Sequence, residues 1–423
     1  MLNTISIIGL GYIGLPTATL FASRKMRVIG VDVSAYVVDT INQGNIHIVE
    51  PELDILVRAA VGAGYLRATM QTEPADVFVI AVPTPLTDEK KPDLSCIEAA
   101  AKSIAPVLAK GNLVILESTS PVGTTERLAA WLAEMRPDLT FPQHAGEASD
   151  IRIAYCPERV LPGRIVHELV ENDRVIGGMT SKCSEAAVRL YQSFVKGECV
   201  VTAVRAAEMC KLAENSFRDT NIAFANELSM ICDEQGIDVW ELIRLANRHP
   251  RVNILQPGCG VGGHCIAVDP WFIVDSAPDS AKLIATARVV NDSKPEWVLR
   301  KVDQAIADLQ KLGLTASDIS IACFGLTFKP DIDDLRESPA LHIVQKLAER
   351  HPGKIFAVEP NLESLPETLI DLRVRQMDTG VAVERASILV LLVDHAQFKL
   401  MSFKNNSDQR IIDTRGVWGK KHV

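Results

Sequence analysis

The stretch ISIIGLGYIGL, residues 5–15, decides the fold, because an apolar strand leads directly into the glycine pattern GxGxxG and then into a helix-length segment. Gly9 permits a tight turn, Gly11 lets a pyrophosphate approach the backbone, and Gly14 lets the helix pack closely on the strand. Asp32 follows 18 residues after Gly14, at the end of the next apolar run. Together these features predict a dinucleotide-binding βαβ unit.

Position 32 indicates which dinucleotide is bound. A carboxylate there accepts hydrogen bonds from both ribose hydroxyls and repels a 2′-phosphate, so the predicted cofactor is NAD and not NADP. Two later loops, residues 82–85 and 118–125, carry hydroxyls expected near the nicotinamide half, although such residues are also ordinary loop formers. The expected cofactor-binding residues are Gly9, Gly11, Tyr12, Ile13, Gly14, Asp32, Thr84, Thr119 and Thr125.

The other apolar runs alternate with helical patterns, which predicts an α/β fold with a parallel, doubly wound sheet. The expected strands are residues 5–8, 28–31, 77–82, 113–116 and 152–154, and the expected helices include 97–108 and 126–134. Residues 203–235 predict one long helix that ends at Gly236 and bridges two domains or builds a dimer interface. Further helices are expected at 239–246 and about 281–311.

A second α/β unit begins near residue 320 and lacks the glycine triplet of the first. Its expected strands are residues 320–324, 355–358, 388–393 and 410–412, with a helix at 339–350. The 423 residues therefore divide into three predicted domains. They are a dinucleotide-binding Rossmann domain at 1–200, a central helical and dimerisation domain at 201–312, and a smaller Rossmann-like domain at 313–423.

The composition narrows the classes of function. The chain has 47% hydrophobic and 23% charged residues, as in soluble globular proteins, and its net charge of −9 disfavours a nucleic-acid partner. No apolar run approaches the roughly 18 residues of a membrane span, so no membrane insertion is expected. The nine cysteines form no CxxC pair, which favours a reduced cytoplasmic compartment without disulfides, structural zinc or another metal site.

A glycine-rich segment, QPGCGVGGHC at residues 256–265, contains a candidate nucleophile. Cys265 ends the segment and Asp269 follows four residues later. A thiol among backbone amides gains thiolate character, whereas most free cysteines are simply buried apolar residues. A metal site at Cys259, His264 and Cys265 is not expected, because adjacent residues rarely point at one ion.

The predicted long helix carries a polar stripe. Lys211, Asn215 and Arg218 lie at i, i+4 and i+7 and therefore share one face. The apolar residues expected to bury this helix are Leu212, Phe217, Ile222 and Phe224. Polar side chains on a buried helix need hydrogen-bond partners, and a bound ligand would supply them. The alternative interpretation is that this face of the helix is exposed to solvent.

Two further segments follow predicted strands. Residues 156–159, CPER, place Glu158 where it can act as a base near the sheet edge. Residues 328–339 end in the helix-capping pair Ser338 and Pro339. Lys329 and Arg336 flank this helix start, where a phosphate can bind, and the alternative is a salt-bridged surface loop.

The motifs described above, taken in their order along the chain, resemble those of the UDP-sugar 6-dehydrogenases, the UDP-glucose/UDP-mannuronate dehydrogenase family. The resemblance covers nearly all of the chain. Arg159 and the segments at 247–253 and 261–265 resemble the branch that oxidises UDP-N-acetyl-D-mannosamine for enterobacterial common antigen, a polysaccharide. UDP-glucose dehydrogenases usually carry an aromatic or aliphatic residue at the position of Arg159, and a small residue at that of His264.

The resemblance implies a four-electron oxidation of the sugar 6-CH₂OH to a carboxylate, with two NAD reduced in turn. It implies that Cys265 forms a thiohemiacetal and then a thioester, and that Glu158 activates the hydrolytic water. Lys211, or water held by Asp269, is the first base, and Lys211 and Asn215 donate hydrogen bonds to the oxyanions. The implied substrate-binding residues are Arg159, Val160, Lys211, Asn215, Arg218, His249, Arg251, Gly262, Lys329, Arg336 and Arg415.

The resemblance also implies that the C-terminal domain binds the UDP half and that the protein is a homodimer or higher homo-oligomer. Whether Arg251 acts in its own subunit or in a partner subunit stays open. Three alternatives stay open. The first is a UDP-glucose or UDP-N-acetylglucosamine 6-dehydrogenase. The second is a two-electron hydroxyacid dehydrogenase of the 6-phosphogluconate type. The third is a non-catalytic NAD-sensing module.

Overall fold

The computed structural model describes residues 4–48, 50–160, 163–401 and 409–419. Its contacts divide the chain into two compact units. The N-terminal unit comprises residues 1–214 and 271–276, and the C-terminal unit comprises residues 215–270 and 277–423. The three predicted domain boundaries stay a prediction.

The N-terminal unit is built on a mainly parallel sheet. Its described strands are β1 (Thr4–Ile8), β2 (Arg27–Val31), β3 (Leu66–Thr69), β4 (Val77–Ile80), β5 (Leu113–Leu116), β6 (Arg152–Tyr155), β7 (Arg174–Gly178) and β8 (Cys199–Ala203). Their order is 3-2-1-4-5-6-7-8, and every pair is parallel except β6 with β7. The first six strands thus follow the order of a dinucleotide-binding sheet.

Helices cover both faces of this sheet, which explains why β4 is apolar throughout. Val77 and Val79 belong to one buried core, whereas Phe78 and Ile80 belong to a second core on the opposite face. The described helices are α1 (Gly14–Ser23), α2 (Ala35–Asn42), α3 (Leu53–Gly62), α4 (Ser95–Ile104), α5 (Thr124–Met135), α6 (Pro142–Ala145), α7 (Ile165–Glu171) and α8 (Ser181–Tyr191).

Four helices follow in the middle of the chain. They are α9 (Val204–Glu234), α10 (Val239–Ala246), α11 (Asp269–Ser276) and α12 (Lys282–Lys311). The division between the two units falls within α9, after Glu214, and within α11, after Pro270.

The C-terminal unit contains a second parallel sheet. Its described strands are β9 (Ile321–Phe324), β10 (Ile355–Val358), β11 (Arg375–Gln376), β12 (Ile388–Leu391) and β13 (Arg410–Asp413). They lie in the order 11-10-9-12-13, all parallel, which is a Rossmann-like topology. The described helices are α13 (Pro339–Arg350), α14 (Glu367–Asp371), α15 (Thr379–Arg385) and α16 (Ala396–Lys399).

The predicted fold class is confirmed. The long helix predicted at 203–235 spans Val204–Glu234, and Gly236 follows it with φ +69°. Sequence patterns do not predict β3, β7, β8 or β11. The residues of β8 are only partly buried or exposed, and β7 ends in two glycines, so neither shows a long apolar run.

One expectation about α9 is wrong. Leu212 is buried, but Phe217 and Phe224 are 69% and 50% exposed. An apolar residue shows that one face of a helix is apolar, and it does not show that the same chain covers that face.

No helix in the described ranges combines the length and the apolar character that a membrane span requires.

Candidate active site

The glycine pattern forms a tight turn at the end of β1. Gly9 has φ +92°, in the left-handed region that favours glycine, and its N–H donates to the Val31 carbonyl at 2.8 Å. A Cβ on Gly14 would lie 1.8 Å from the Gly9 oxygen, so the first turn of α1 excludes any side chain there. Gly9 and Gly14 therefore have the structural roles that the sequence predicts.

The N-terminus of α1 has room for a phosphate. A Cβ on Gly11 would meet no atom within 4 Å, so the chain leaves open space beside the turn. The first turn of α1 carries no acidic residue that would repel an anion. Tyr12 and Ile13 complete this turn, and the cradle fits the pyrophosphate of NAD.

Asp32 lies directly after β2 and is held by two backbone groups. Its Oδ2 accepts a hydrogen bond from Leu10 N at 3.0 Å, and its Oδ1 accepts one from Ser34 N at 2.9 Å. Each carboxylate oxygen keeps acceptor capacity for a ribose hydroxyl. Two backbone N–H groups thus fix the half-buried carboxylate, and its contact with the ribose of NAD stays a prediction.

Different hydrogen bonds hold the two hydroxyl-bearing loops, residues 82–85 and 118–125. Thr84 Oγ1 donates to the Thr119 carbonyl at 2.6 Å, which joins the two loops. Thr125 is fully buried and its Oγ1 donates to Glu208 Oε1 at 2.7 Å. Glu208 on α9 also accepts from Gly123 N at 2.6 Å, and burial raises its pKa. The hydroxyl proton of Thr125 is therefore committed to Glu208, a contact that no sequence pattern indicates.

Glu158 is buried after β6, and Lys211 interacts with it electrostatically. Its Oε2 accepts from Val160 N at 2.8 Å, whereas its Oε1 is buried without a partner among the described residues. Burial raises the pKa of Glu158, and the positive charges of Lys211 and Arg174 oppose this rise. A buried carboxylate with one unoccupied oxygen is suited to take a proton from a water molecule.

A second buried carboxylate lies close enough to interact with Glu158. Glu117 Oε1 accepts from Arg174 Nη1 at 3.3 Å and from the Tyr191 hydroxyl at 3.1 Å. Burial raises the pKa of Glu117 to about 7, because the attraction of Arg174 does not offset the loss of solvation. Sequence reasoning missed this group, whose only signal was an acidic residue directly after an apolar strand.

Arg159 is already paired within the N-terminal unit. Its Nη2 lies 2.6 Å from Glu214 Oε1, and its side chain is 30% exposed. The predicted contact of Arg159 with the sugar stays a prediction.

The C-terminal unit brings Asn215, Asp269 and Cys265 together. Asn215 Nδ2 donates to Asp269 Oδ2 at 2.5 Å, and both residues are buried. The Cys265 carbonyl accepts from Asp269 N at 2.8 Å and from Val268 N at 3.0 Å, so the cysteine lies in the turn that leads into α11. Cys265 is half-buried. These contacts fix the backbone of Cys265 one turn before the Asp269 carboxylate, which Asn215 holds; a catalytic role for these side chains stays a prediction.

The glycines before Cys265 have a packing role. A Cβ on Gly262 would lie 2.4 Å from the Glu337 carbonyl, and one on Gly263 would lie 2.8 Å from the Phe328 ring. Gly263 N also donates to the Arg336 carbonyl at 3.2 Å. The glycine run therefore lets the cysteine loop pack tightly against residues 328–339 of the same unit.

Two of the predicted phosphate-binding cations, Arg336 and Arg415, pair with carboxylates in the same unit, and Lys329 is held through its backbone. Arg336 Nη2 lies 2.6 Å from Asp334 Oδ2, and the side chain of Arg336 is 47% exposed. Arg415 Nε donates to Asp394 Oδ1 at 2.7 Å. The Lys329 carbonyl accepts from Thr327 Oγ1 at 2.8 Å. In this structure Arg336 thus belongs to a salt-bridged surface loop, which was the alternative to a phosphate-binding role.

Other predicted substrate residues lie at the surface. Arg218, His249 and Arg251 are exposed, and Arg251 N donates to His249 Nδ1 at 3.3 Å. Their contact with the sugar stays a prediction. Within the described ranges, no three His, Cys, Asp or Glu side chains are arranged to hold a metal ion.

Three family models match consecutive parts of the chain. The NAD binding domain of the UDP-glucose/GDP-mannose dehydrogenase family matches residues 3–195, the central domain matches residues 205–293, and the UDP binding domain matches residues 322–420. The chain belongs to this family.

Individual relatives agree over nearly the whole length. A UDP-N-acetyl-D-mannosamine dehydrogenase from Yersinia pestis is 66% identical, over 98% of this chain and 99% of the relative. An NDP-N-acetyl-D-galactosaminuronic acid dehydrogenase from Ralstonia nicotianae (strain ATCC BAA-1114 / GMI1000) is 63% identical, over 100% and 97%. The solved structure of a UDP-D-ManNAc dehydrogenase from Pyrococcus horikoshii has a TM-score of 0.87 at 38% identity, covering 99% of this chain and 97% of that chain.

These findings establish the class of activity. The chain is an NAD-dependent dehydrogenase with a UDP binding domain, so the predictions of family, enzyme class and cofactor are confirmed. The hypothesis of a non-catalytic NAD-sensing module is wrong. A hydroxyacid dehydrogenase of the 6-phosphogluconate type does not need the UDP binding domain that this chain carries, so this domain disfavours that alternative.

Proposed function

We propose that this dehydrogenase oxidises UDP-N-acetyl-D-mannosamine at C6 to UDP-N-acetyl-D-mannosaminuronate. The observation that carries the proposal is 66% identity, along nearly the whole chain, to the Yersinia pestis relative with that printed activity. In this proposal Arg159, His249 and Arg251 contact the acetamido group, and a site built to hydrogen-bond that group rejects a sugar that lacks one. UDP-glucose is then a poor substrate.

A second candidate substrate comes from the Ralstonia nicotianae relative, which is 63% identical and is named for an N-acetyl-D-galactosaminuronic acid. Both relatives' names specify an N-acetylated amino sugar, and they differ in its configuration. The acetamido group is therefore common to the two candidates.

The first oxidation needs a base for the C6 hydroxyl. Lys211, or water held by Asp269, takes this proton as C6 loses a hydride. NAD, when bound, accepts the hydride in each of the two oxidations. Asn215 and Lys211 donate hydrogen bonds to the oxygen that develops negative charge.

The second oxidation needs a covalent adduct. The Cys265 sulfur forms a bond to the aldehyde carbon as the thiol proton passes to the aldehyde oxygen, which gives a thiohemiacetal. Loss of a second hydride from C6 to NAD, and of the hydroxyl proton to the same base as in the first oxidation, leaves a thioester. Water then attacks the thioester while Glu158 takes its proton, and the C–S bond breaks to release the carboxylate and the thiol. The unoccupied, buried Oε1 of Glu158 supports this assignment.

A substrate panel tests the proposal. The enzyme is given NAD with the UDP derivatives of N-acetylmannosamine, N-acetylgalactosamine, N-acetylglucosamine and glucose, and NADH is counted per sugar. We expect two NADH and the highest kcat/KM with the N-acetylmannosamine derivative. A higher kcat/KM with the N-acetylgalactosamine derivative selects the second candidate, and a comparable value with UDP-glucose overturns the proposal. One NADH per sugar contradicts the four-electron reaction.

We infer that the enzyme is a homodimer that pairs through α9. Phe217, Phe224 and Ile231 recur every seven residues on this helix and are 69%, 50% and 43% exposed. Apolar residues at this spacing form helix–helix seams, and a second copy presents the same seam. We expect Phe224→Glu to halve the mass measured by light scattering, whereas Ile55→Glu, at a residue 67% exposed in the N-terminal unit, leaves it unchanged. A dimeric Phe224→Glu variant argues against this interface.

We further propose a cytoplasmic enzyme of polysaccharide biosynthesis, specifically of enterobacterial common antigen. All nine cysteines lie within the described residues as free thiols, which suits a reducing compartment. The three-domain division at residues 200 and 312 belongs to the same proposal. Deleting the gene in the source organism, with analysis of its surface polysaccharide, tests the pathway.

A further inference from the structure

The C-terminal unit contains a buried pair of ionisable side chains that the proposed mechanism does not use. Glu359 follows β10, and His395 lies after β12, immediately before α16. They are 3% and 0% exposed, and His395 Nε2 lies 3.1 Å from Glu359 Oε2. Burying two such groups is costly unless their polar atoms are satisfied, so their partners indicate what they do.

The hydrogen bonds fix the tautomer of His395. The Asp331 N–H donates to His395 Nδ1 at 2.9 Å, so this nitrogen carries no proton and acts as an acceptor. Asn361 Nδ2 lies 3.1 Å from the same nitrogen. The ring proton therefore resides on Nε2 and is donated to Glu359. The pair thus connects the Asp331 backbone to the Glu359 carboxylate through one imidazole.

The same pair holds both ends of one short segment, residues 326–331, which we call the Lys329 loop. At its start, Leu326 N donates to Glu359 Oε2 at 2.7 Å. At its end, Asp331 donates to His395 and accepts from Ala396 N at 2.9 Å. Asp331 has φ +60°, an uncommon conformation for a residue other than glycine that these contacts stabilise.

The N-terminal unit shows the same backbone frame at its first strand. Gly9 N donates to the Val31 carbonyl at 2.8 Å, and Gly325 N donates to the Val358 carbonyl at 2.9 Å. The two glycines have φ values of +92° and +89°. Each glycine therefore ends the first strand of its unit in the same turn.

The acidic residue after the second strand is used differently in the two units. Asp32 accepts from Leu10 N at 3.0 Å, as Glu359 accepts from Leu326 N at 2.7 Å. Asp32 is half-buried, but Glu359 is buried against His395. The carboxylate that faces a ribose in a dinucleotide fold is thus engaged internally in the C-terminal unit.

We propose that the Glu359–His395 pair is a positioning device that holds the Lys329 loop in its ligand-ready form, so that Lys329 meets the diphosphate of UDP without reordering the loop. This inference rests on the proposed role of Lys329 in binding UDP. Because both ends of the loop are fixed before binding, less conformational entropy is lost when UDP binds. Glu359 and His395 act through Lys329 and touch no reacting atom.

The test uses UDP itself as the probe, so it does not depend on which sugar is oxidised. Titration calorimetry with the full-length protein measures the Kd for UDP. His395→Gln can still reach Glu359 but loses the acceptor for Asp331, and we expect about five- to tenfold weaker binding. The KM for NAD should not change. An unchanged Kd for UDP in this variant overturns the proposal.

The matched control loses a partly buried hydrogen bond at the N-terminal end of β9, the end opposite the Lys329 loop. Ser320, next to β9, donates from Oγ to the Arg385 carbonyl at 3.0 Å. We expect Ser320→Ala to lower the unfolding temperature while leaving the Kd for UDP unchanged. An equal loss of UDP binding in this variant assigns the effect to general destabilisation and contradicts the proposal.

A double-mutant cycle separates a positioning role from a structural one. If the pair acts through Lys329, adding His395→Gln to Lys329→Ala weakens UDP binding no further, to within about twofold. Additive losses overturn the proposal. If Lys329→Ala alone leaves UDP binding unchanged, the proposed role of Lys329 fails, which is distinct from failure of the pair.

Hydrogen exchange on the unmodified protein gives a result even when the variants do not fold. We expect the Leu326 and Asp331 amides to be protected before UDP is added, because the pair already binds them. Exchange as fast as in an open loop, with protection only after UDP binds, shows that UDP orders the loop and contradicts the proposal.

Discussion

Gly262→Ala is a direct test of how the cysteine loop is held. An added Cβ would lie 2.4 Å from the Glu337 carbonyl oxygen and 2.8 Å from the Phe328 Cβ. Ordinary contacts begin near 3.4 Å, so the loop must move by about 1.0 Å away from a backbone group that cannot rotate aside. Gly262 stands three residues before Cys265, and the displacement therefore reaches the nucleophile.

A misplacement of about 1 Å in a catalytic group costs roughly 100-fold in rate. We expect kcat of Gly262→Ala to fall by about that factor in a steady-state NADH assay. The KM for NAD should stay unchanged, because the glycine cradle belongs to the other unit. Alkylation of Cys265 by iodoacetamide, followed by mass spectrometry, reports the altered environment independently of turnover.

The matched control is Gly62→Ala in α3, where an added Cβ meets no atom within 4 Å. We expect the activity of this variant to equal that of the unmodified enzyme. A kcat for Gly262→Ala within about threefold of the unmodified value would refute the reasoning, since a 1 Å shift would then be harmless or would be absorbed elsewhere.

Three further predictions concern the chemistry and the cofactor. Cys265→Ser should still bind NAD and UDP-sugar but lose turnover to the acid by orders of magnitude, with product mass spectrometry as the check; uronate formed at a normal rate contradicts the covalent route. Asp32→Ala should narrow the preference for NAD over NADP, measured as the ratio of kcat/KM values, because the repulsion of a 2′-phosphate is removed; an unchanged ratio assigns the preference elsewhere. Burial raises the pKa of Glu117 to about 7. The part of the folding stability that protonation of Glu117 contributes is therefore fully present below the ordinary glutamate pKa and is lost as the pH rises through about 7. Glu117→Gln, which mimics the protonated form, should therefore flatten the decline in unfolding temperature between about pH 4.5 and 7, and an identical slope in both proteins argues against this assignment.

The sequence alone determined those features whose signals are local. The glycine turn, Asp32 and the alternation of strands and helices predicted the first Rossmann unit and its cofactor. Helical periodicity with a terminal glycine predicted Val204–Glu234 to within one residue at each end. Ser338 was predicted as a helix cap, and its Oγ accepts from Leu341 N at 3.2 Å. Such patterns repeat within a few residues, so no knowledge of distant contacts is needed.

Candidate site residues were named from the sequence, but the partners that hold them were not. Thr125 was a candidate, and its partner Glu208 is 83 residues away. Glu117, which the sequence did not single out, accepts a hydrogen bond from Arg174, which is 57 residues away. No periodicity links positions so far apart, and an acidic residue by itself does not reveal whether it is solvated or buried.

Only the tertiary structure decided why the cysteine loop is rich in glycine and which faces of α9 are covered. Close packing on Phe328 and Glu337 excludes a side chain at Gly262, whereas the sequence showed only that something approached the loop. Phe217 looked like a core residue but is 69% exposed, because apolar spacing defines a face of a helix and packing decides what covers it. Local patterns specify the elements of this protein, and long-range contacts assign their roles.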